Sequence, residues 1–282
     1  MIKSIARERS NGSFSYAEDS YAEDSLLSSE ILLTEKTLMI PPNPTPGEHI
    51  DPLREVYHES FIDNPEHREL LIAKNAALLC IDLQYLDAAR GHGVFAKPDR
   101  GGVSAEGQAY YFDRLEQQVL PGIRRLQNVF RSHDLEVIHT RIQALTRDGR
   151  DRSKGHKRLD LLAAPGSRDA DFLEQVAPDP DRDEIVINKT ASGVFSSTNL
   201  HYVLNNMGIE SLFIVGVYTN ECVETTVRDA CDLGYVVTVI EDCCATVTPQ
   251  LHEASLATLR DRYAKIMTLG ETVGTVERLL PV

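Results

Sequence analysis

Three side chains of complementary chemistry fall at the carboxyl ends of apolar runs. Asp82 closes Ala77-Leu-Leu-Cys-Ile-Asp82, Lys189 follows Glu184-Ile-Val-Ile-Asn188, and Cys222 lies just beyond Ser211-Leu-Phe-Ile-Val-Gly-Val217. A thiol supplies a nucleophile, a carboxylate can move its proton, and an ammonium can balance a thiolate; together they are the parts of a cysteine hydrolase that needs no cofactor. A helix beginning near Glu221 would aim unsatisfied backbone N–H groups and its positive dipole end at the sulfur, so the spacing predicts a depressed Cys222 pKa. Val223, Val227, Ala230 and Cys231 give that helix an apolar face, which turns Cys222 away from the core. Taken singly, each residue has an ordinary explanation: free cysteines fill cores, strand-end aspartates cap turns, and most lysines are solvated. Spacing alone leaves Cys222 between nucleophile and core residue; the shared placement of the three favours chemistry.

The other cysteines read as structural. Cys80 lies inside an apolar strand, Cys231 on the apolar helix face, and Cys243-Cys244 at another strand end without a visible partner. Five cysteines without Cys-x-x-Cys spacing indicate free thiols rather than a disulfide framework or zinc knuckle. The histidines, including His92, His133, His139, His156 and His201, show no metal-ligand pairing, and no glycine-rich phosphate loop follows a strand. Neither a metal nor a nucleotide cofactor is expected.

The elements that must position this chemistry begin near Asn75. Strands are predicted over Ala77–Asp82, Leu135–Thr140, Glu184–Asn188, Ser211–Val217, Tyr235–Ile240 and Lys265–Leu269, alternating with helices around Gln108–Arg131, Ser197–Met207, Glu221–Leu233 and Gln250–Tyr263. Continuous apolar strands between helices specify a doubly wound α/β fold, a mainly parallel six-stranded sheet covered on both faces, with ligands at the strand carboxyl ends. Gly208 and Gly234 stand where helix C-caps are expected, and Ser197 or Thr198, and Thr219 or Asn220, can cap amino termini. Residues 1–70 read as an N-terminal extension, with the tandem repeat Tyr16-Ala-Glu-Asp-Ser20 and Tyr21-Ala-Glu-Asp-Ser25 and the run Pro41-Pro-Asn-Pro-Thr-Pro-Gly47; residues 71–282 form the domain.

The chain has 282 residues and a formal charge of −14, with 42% hydrophobic and 26% charged residues, enough for one sizeable core. That charge opposes nucleic acid and anionic lipid. The arginines at 141, 147, 150, 152 and 158 are interrupted by Asp148 and Asp151, which suits a solvated or substrate-gating loop. With no apolar run of membrane-spanning length and no signal-peptide core, a cytoplasmic protein is expected, associating as a homo-oligomer, a tetramer ahead of a dimer. The extension could dock on a neighbouring subunit through Leu26-Leu27 and Ile31-Leu-Leu33.

From about Ala76 onward the chain resembles the isochorismatase-like cysteine hydrolases. The resemblance rests on Ile81-Asp-Leu-Gln84, Asn188-Lys-Thr-Ala-Ser-Gly-Val-Phe195, Gly216-Val-Tyr-Thr-Asn-Glu-Cys-Val223 with the following Glu-Thr-Thr-Val-Arg-Asp229, and Glu241-Asp-Cys-Cys-Ala-Thr246. It implies a catalytic triad of Asp82, Lys189 and Cys222, a cis peptide between Val217 and Tyr218, and an oxyanion hole made by the backbone N–H groups of Tyr218 and Cys222. Members named for isochorismate cleave a vinyl ether and lack the cysteine, so keeping Cys222 implies amide or ureide hydrolysis. Ile138-His-Thr-Arg141 and Glu241-Asp-Cys-Cys244 resemble biuret amidohydrolases, and the Thr-Asn-x-Cys-Val-Glu pattern at 219–224 resembles ureidoacrylate amidohydrolases. Other carboxamides such as maleamate or N-carbamoylsarcosine, or a non-catalytic binding protein keeping the fold, are the alternatives. The family's Asp-Met-Gln-Asn-Asp-Phe stands here as Asp82-Leu-Gln-Tyr-Leu-Asp87, and the Asp-x-His metal pattern of nicotinamidases is missing. Proximity to the triad nominates Gln84, Arg141, Phe195, Tyr218 and Asn220 as substrate-binding, with Arg141 meeting a carboxylate or carbonyl oxygen.

Overall fold

The computed structural model describes residues 75–96 and 102–280; the predicted extension over residues 1–70 lies outside them. Six parallel strands form one sheet: β1 (Ala76–Ile81), β2 (Glu136–Ile142), β3 (Val186–Lys189), β4 (Ser211–Val217), β5 (Val236–Ala245) and β6 (Lys265–Met267), in the order β3-β2-β1-β4-β5-β6. The order reverses direction between β1 and β4, the place where an open α/β sheet leaves a crevice beyond its carboxyl edge. Every residue of β1 and β4 is buried, as their unbroken apolar runs require.

Alternate side chains of β1 feed two cores. Ala77, Leu79 and Ile81 face one, shared with helices α5 (Val194–Ser197), α6 (Leu200–Met207), α7 (Glu224–Asp232) and α8 (Pro249–Leu259). Ala76, Leu78 and Cys80 face the other, covered by α2 (Ala105–Arg114), α3 (Leu120–Ser132) and α9 (Leu269–Leu279). Two short helices, α1 (Tyr85–Ala88) and α4 (Lys154–Arg158), belong to loops at the carboxyl edge.

Local chemistry explains the differences from the sequence-based boundaries. The helix expected over Gln108–Arg131 starts earlier, where the Ser104 side chain accepts from Gly107 N, and it widens into a π segment over Leu115–Val119 just before Pro121. A proline ring cannot sit against the carbonyl four residues back, so the ladder opens there. The helix expected over Ser197–Met207 is two pieces, because extended Thr198 ends α5 and its hydroxyl caps α6 by accepting from Leu200 N. β5 runs on to Ala245, its register with β4 breaking between Ile214 and Gly216 so that Cys244 rejoins the sheet beside Gly216. The helix α9, absent from the expected set, begins at a capping box of Thr268 and Glu271. Gly216, at φ +122, brings β4 so close to β1 that a Cβ there would lie 2.1 Å from the Ile81 carbonyl oxygen. No helix among the described residues is long and apolar enough to cross a membrane.

Candidate active site

Each of the three strand ends delivers one functional group. Asp82 leaves β1 in the left-handed region, φ 54, with its N–H donated to the Thr140 carbonyl of β2. Lys189 ends the edge strand β3, and its ammonium reaches the Asp82 carboxylate just past the end of β1. Cys222 sits in a π turn, Thr219–Val223, between β4 and α7; the Thr226 hydroxyl holds this turn by donating to the Cys222 carbonyl at 2.6 Å. From the far side, Ser255 of α8 donates to the Thr219 carbonyl. His252 joins the same brace: Arg114 donates to its Nε2 at 2.9 Å, which leaves Nδ1 to donate to the Thr219 hydroxyl. The Val217–Tyr218 peptide is cis.

The three groups converge. Lys189 Nζ lies 2.8 Å from Asp82 Oδ2 and 3.4 Å from Cys222 Sγ, and donates to the carbonyls of Ala191 and Ser192 at 3.0 Å each. Asp82 and Lys189 are fully buried and Cys222 is 3% exposed. Burial opposes charge on the ammonium, yet Asp82 and Cys222 hold its pKa above the ordinary lysine value. Burial raises Asp82, against which the Lys189 charge pulls down. Burial also pushes the Cys222 thiol well up, and Lys189 only partly offsets it. The depressed pKa expected from a helix start is thus corrected: Cys222 is inside the π turn and the core, and removing a thiolate from water outweighs a helix dipole. The resting site is an Asp82–Lys189 ion pair facing a thiol. Burial, the largest cause, raises Cys80 and Cys244 to about 12, and among the described residues no ammonium donates to either.

Above the sulfur opens a cavity of about 290 Å³. Of the residues nominated from sequence, Tyr218, Asn220 and Cys222 line it. Tyr218 is fixed by its hydroxyl donating to the Asp87 carbonyl at 2.9 Å and by ring contacts with Phe95 and Tyr111, and the Asn220 Oδ1 accepts from Thr246. The other three are used elsewhere. Gln84 is a fully buried latch, its Nε2 donating to the carbonyls of Ile142 and Asp169 and its Oε1 accepting from Ile142 N. Arg141 donates to Asn188 Oδ1 and the Ala170 carbonyl and lies over the Phe172 ring. Phe195 stacks on Tyr235. None of these three lines the cavity, their side chains being engaged by β2, β3, loop carbonyls and the Tyr235 ring.

Sequence reasoning missed Asp87, His156 and Glu221, which also line the cavity. Asp87 is 4% exposed and its Oδ2 has no hydrogen-bond partner; His156 is 5% exposed with Nδ1 likewise unpartnered. Burial, then Asp82, raises Asp87 well above the carboxylate range, and burial lowers His156 to about 4. His156 arrives on the arginine-rich loop, which is ordered by Asp151 accepting from Leu145 N and Thr146 N. The departure from the family motif at Asp87 was the available signal; His156 carried none. Among the described residues, no group of three or more His, Cys, Asp or Glu side chains is placed to hold a metal ion.

A doubly wound sheet with a buried thiol, ammonium and carboxylate meeting at its switch point defines a cysteine hydrolase type of architecture. The isochorismatase domain matches residues 76–271, and the chain belongs to the isochorismatase family of hydrolases. It is 31% identical to a probable inactive nicotinamidase of Arabidopsis thaliana, over 70% of this chain and 94% of that protein. A ureidoacrylate amidohydrolase of Agrobacterium fabrum is 30% identical over 43% of this chain and 53% of its own length. Among solved structures, an isochorismatase family protein from Desulfovibrio vulgaris superposes with a TM-score of 0.59 at 25% identity, covering 72% of this chain and 99% of that one.

Proposed function

We propose that this protein hydrolyses an amide-type C–N bond of a small ureide or carboxamide through a thioester on Cys222. The observation that carries this reading is the placement of Lys189 Nζ, 2.8 Å from Asp82 and 3.4 Å from Cys222 Sγ, at the base of a substrate-sized cavity. Asp82 takes the thiol proton as sulfur bonds to the carbonyl carbon, and the carbonyl electron pair moves to oxygen. Lys189 holds the transient thiolate. The backbone N–H groups of Tyr218 and Cys222 are the oxyanion donors, each worth ~2.7–4 kcal/mol by the usual effect of removing one. Collapse breaks the C–N bond, and Asp82 returns the proton to the departing nitrogen, releasing ammonia or an amine. Asp82 then deprotonates water, which attacks the thioester; the C–S bond breaks and the proton returns to sulfur.

The elevated Cys222 pKa fits this sequence, because the thiolate forms only when substrate supplies the electrophile. The test is ammonia release over a panel of biuret, ureidoacrylate, N-carbamoyl amino acids, maleamate and nicotinamide, with Cys222→Ala beside the wild type. Activity is expected on at least one compound and abolished in the variant; full activity in Cys222→Ala would overturn the mechanism.

A further inference from the structure

The side chains that face the cavity carry their own statement about ligand charge. Asp87, Glu221 and His156 line the space above Cys222, two of them acidic. The arginine best suited by sequence to bind a substrate carboxylate, Arg141, is committed to Asn188 and the Ala170 carbonyl. A buried carboxylate is stable only when a cation or several donors take the place of its water. Among the described residues no lysine or arginine lines the cavity, and Lys189 beneath it is already paired with Asp82.

Asp87 itself reports the local field. Burial and the negative charges of Asp82, Glu221 and Asp169 disfavour its ionised form, against the pull of Lys189. A substrate carboxylate placed beside Asp87 meets the same desolvation and the same repulsion. A neutral carboxylic acid at Asp87, in contrast, brings an O–H donor and acceptor oxygens to the cavity wall without charge. A ureide or carboxamide suits such a wall, since its C=O accepts, its N–H groups donate and neither carries charge. Val94, Ile142, Leu161 and Val247 add apolar wall among the described residues.

We infer that the cavity selects an uncharged, N–H-bearing ureide or carboxamide and rejects carboxylate-bearing analogues, with Asp87 as the specificity-determining residue. This rests on the amide-hydrolysis reading for the bond that is broken, and it separates the two subfamilies the sequence resembles. Biuret is neutral, whereas ureidoacrylate carries a carboxylate.

The experiment uses two near-isosteric reagents that alkylate the same sulfur and differ in charge, iodoacetamide and iodoacetate. Labelling rates at Cys222 are followed by peptide mass spectrometry, with free cysteine as the reference thiol. The iodoacetamide preference at Cys222 is expected to exceed that of free cysteine by about tenfold or more, from like-charge repulsion and desolvation. Asp87→Leu, which removes donor and acceptor, is expected to slow iodoacetamide selectively and collapse the ratio, while Asp87→Asn, which keeps both, retains it. An iodoacetate rate equal to or above the reference proportion, or a ratio untouched by Asp87→Leu, overturns the inference. Ammonia release from malonamide and malonamate, measured in parallel, separates the two levels: release from neither counts against amide hydrolysis, and the labelling ratio still judges the cavity.

Discussion

Replacing Lys189 by methionine keeps the length and volume of the side chain and removes only its charge and donors. In the native protein that ammonium pairs with Asp82 at 2.8 Å and donates to the Ala191 and Ser192 carbonyls, all within a fully buried setting. Breaking a buried pair from one side costs about 3–5 kcal/mol, because the remaining charge is left without compensation. The variant has one relief, which is protonation of Asp82. With its counter-ion gone, the folded Asp82 pKa rises further above the unfolded value, so between those two values the native state binds more protons than the unfolded chain. Stability of the variant therefore falls as pH rises through that window, by at most ~1.4 kcal/mol per pH unit for one proton. The deficit against wild type is smallest below the unfolded aspartate value, about 3.9, and grows as pH rises above it towards the ~3–5 kcal/mol of an uncompensated buried charge. Urea unfolding of both proteins at several pH values reads it directly, with matching m-values as the check on two-state behaviour. Ammonia release should fall at least about a hundredfold, equivalent to ~2.7 kcal/mol of barrier. A pH-independent deficit, or a variant with wild-type turnover, would refute the reasoning.

Gln84→Leu leaves Ile142 N, Ile142 O and Asp169 O without their buried partner, so unfolding stability should drop by about 1–3 kcal/mol while KM stays unchanged; a raised KM with unchanged stability would instead make Gln84 a substrate ligand. Gly216→Ala places a methyl group 2.1 Å from the Ile81 oxygen at φ +122, and about 3 kcal/mol or more of stability should be lost together with activity, since Asp82 follows directly on the displaced strand; a wild-type melting temperature would contradict this. Glu184 is drawn down to about 2, burial being outweighed by hydrogen bonds from His139, Arg131 and Asp179 N. Its folded pKa lies below the unfolded value, so its stabilisation is full above about pH 4.3 and lost as pH falls through about 2. The stability gap between wild type and Glu184→Gln should close over that range, and a gap that persists would exclude charge as its origin.

The alternation of apolar runs with capped helices made the sheet readable from sequence, and Ser211–Val217 matches β4 end to end because an apolar run bounded by Glu210 and a turn admits little else. The β5 extension was hidden because Glu241 and Asp242 interrupt its apolar pattern while Cys243, Cys244 and Ala245 return to the sheet beyond a register break. The meeting of Asp82, Lys189 and Cys222 was legible because strand carboxyl ends gather at one edge. The cavity lining was less so. Gln84 lies two residues from Asp82 and Arg141 pairs across the sheet with Asn188, but both spend their polar atoms on β2, β3 and loop carbonyls, whereas Asp87 and His156 come from α1 and α4, whose short loops hold no periodic signal. Net thiol acidity was misjudged for the same reason: a dipole can be inferred from sequence, but depth of burial depends on the packed structure.

The proposed reaction requires a covalent bond between Cys222 and the substrate carbonyl carbon. Rapid acid quench during turnover of the best compound from the ammonia-release panel, followed by mass spectrometry of the peptide containing Cys222, tests it most directly. An acyl or carbamoyl adduct on that sulfur is expected, formed as the first ammonia or amine is released and lost as product accumulates. Release from the enzyme with Cys222 unmodified at every quench time, and undiminished in Cys222→Ala, would contradict it.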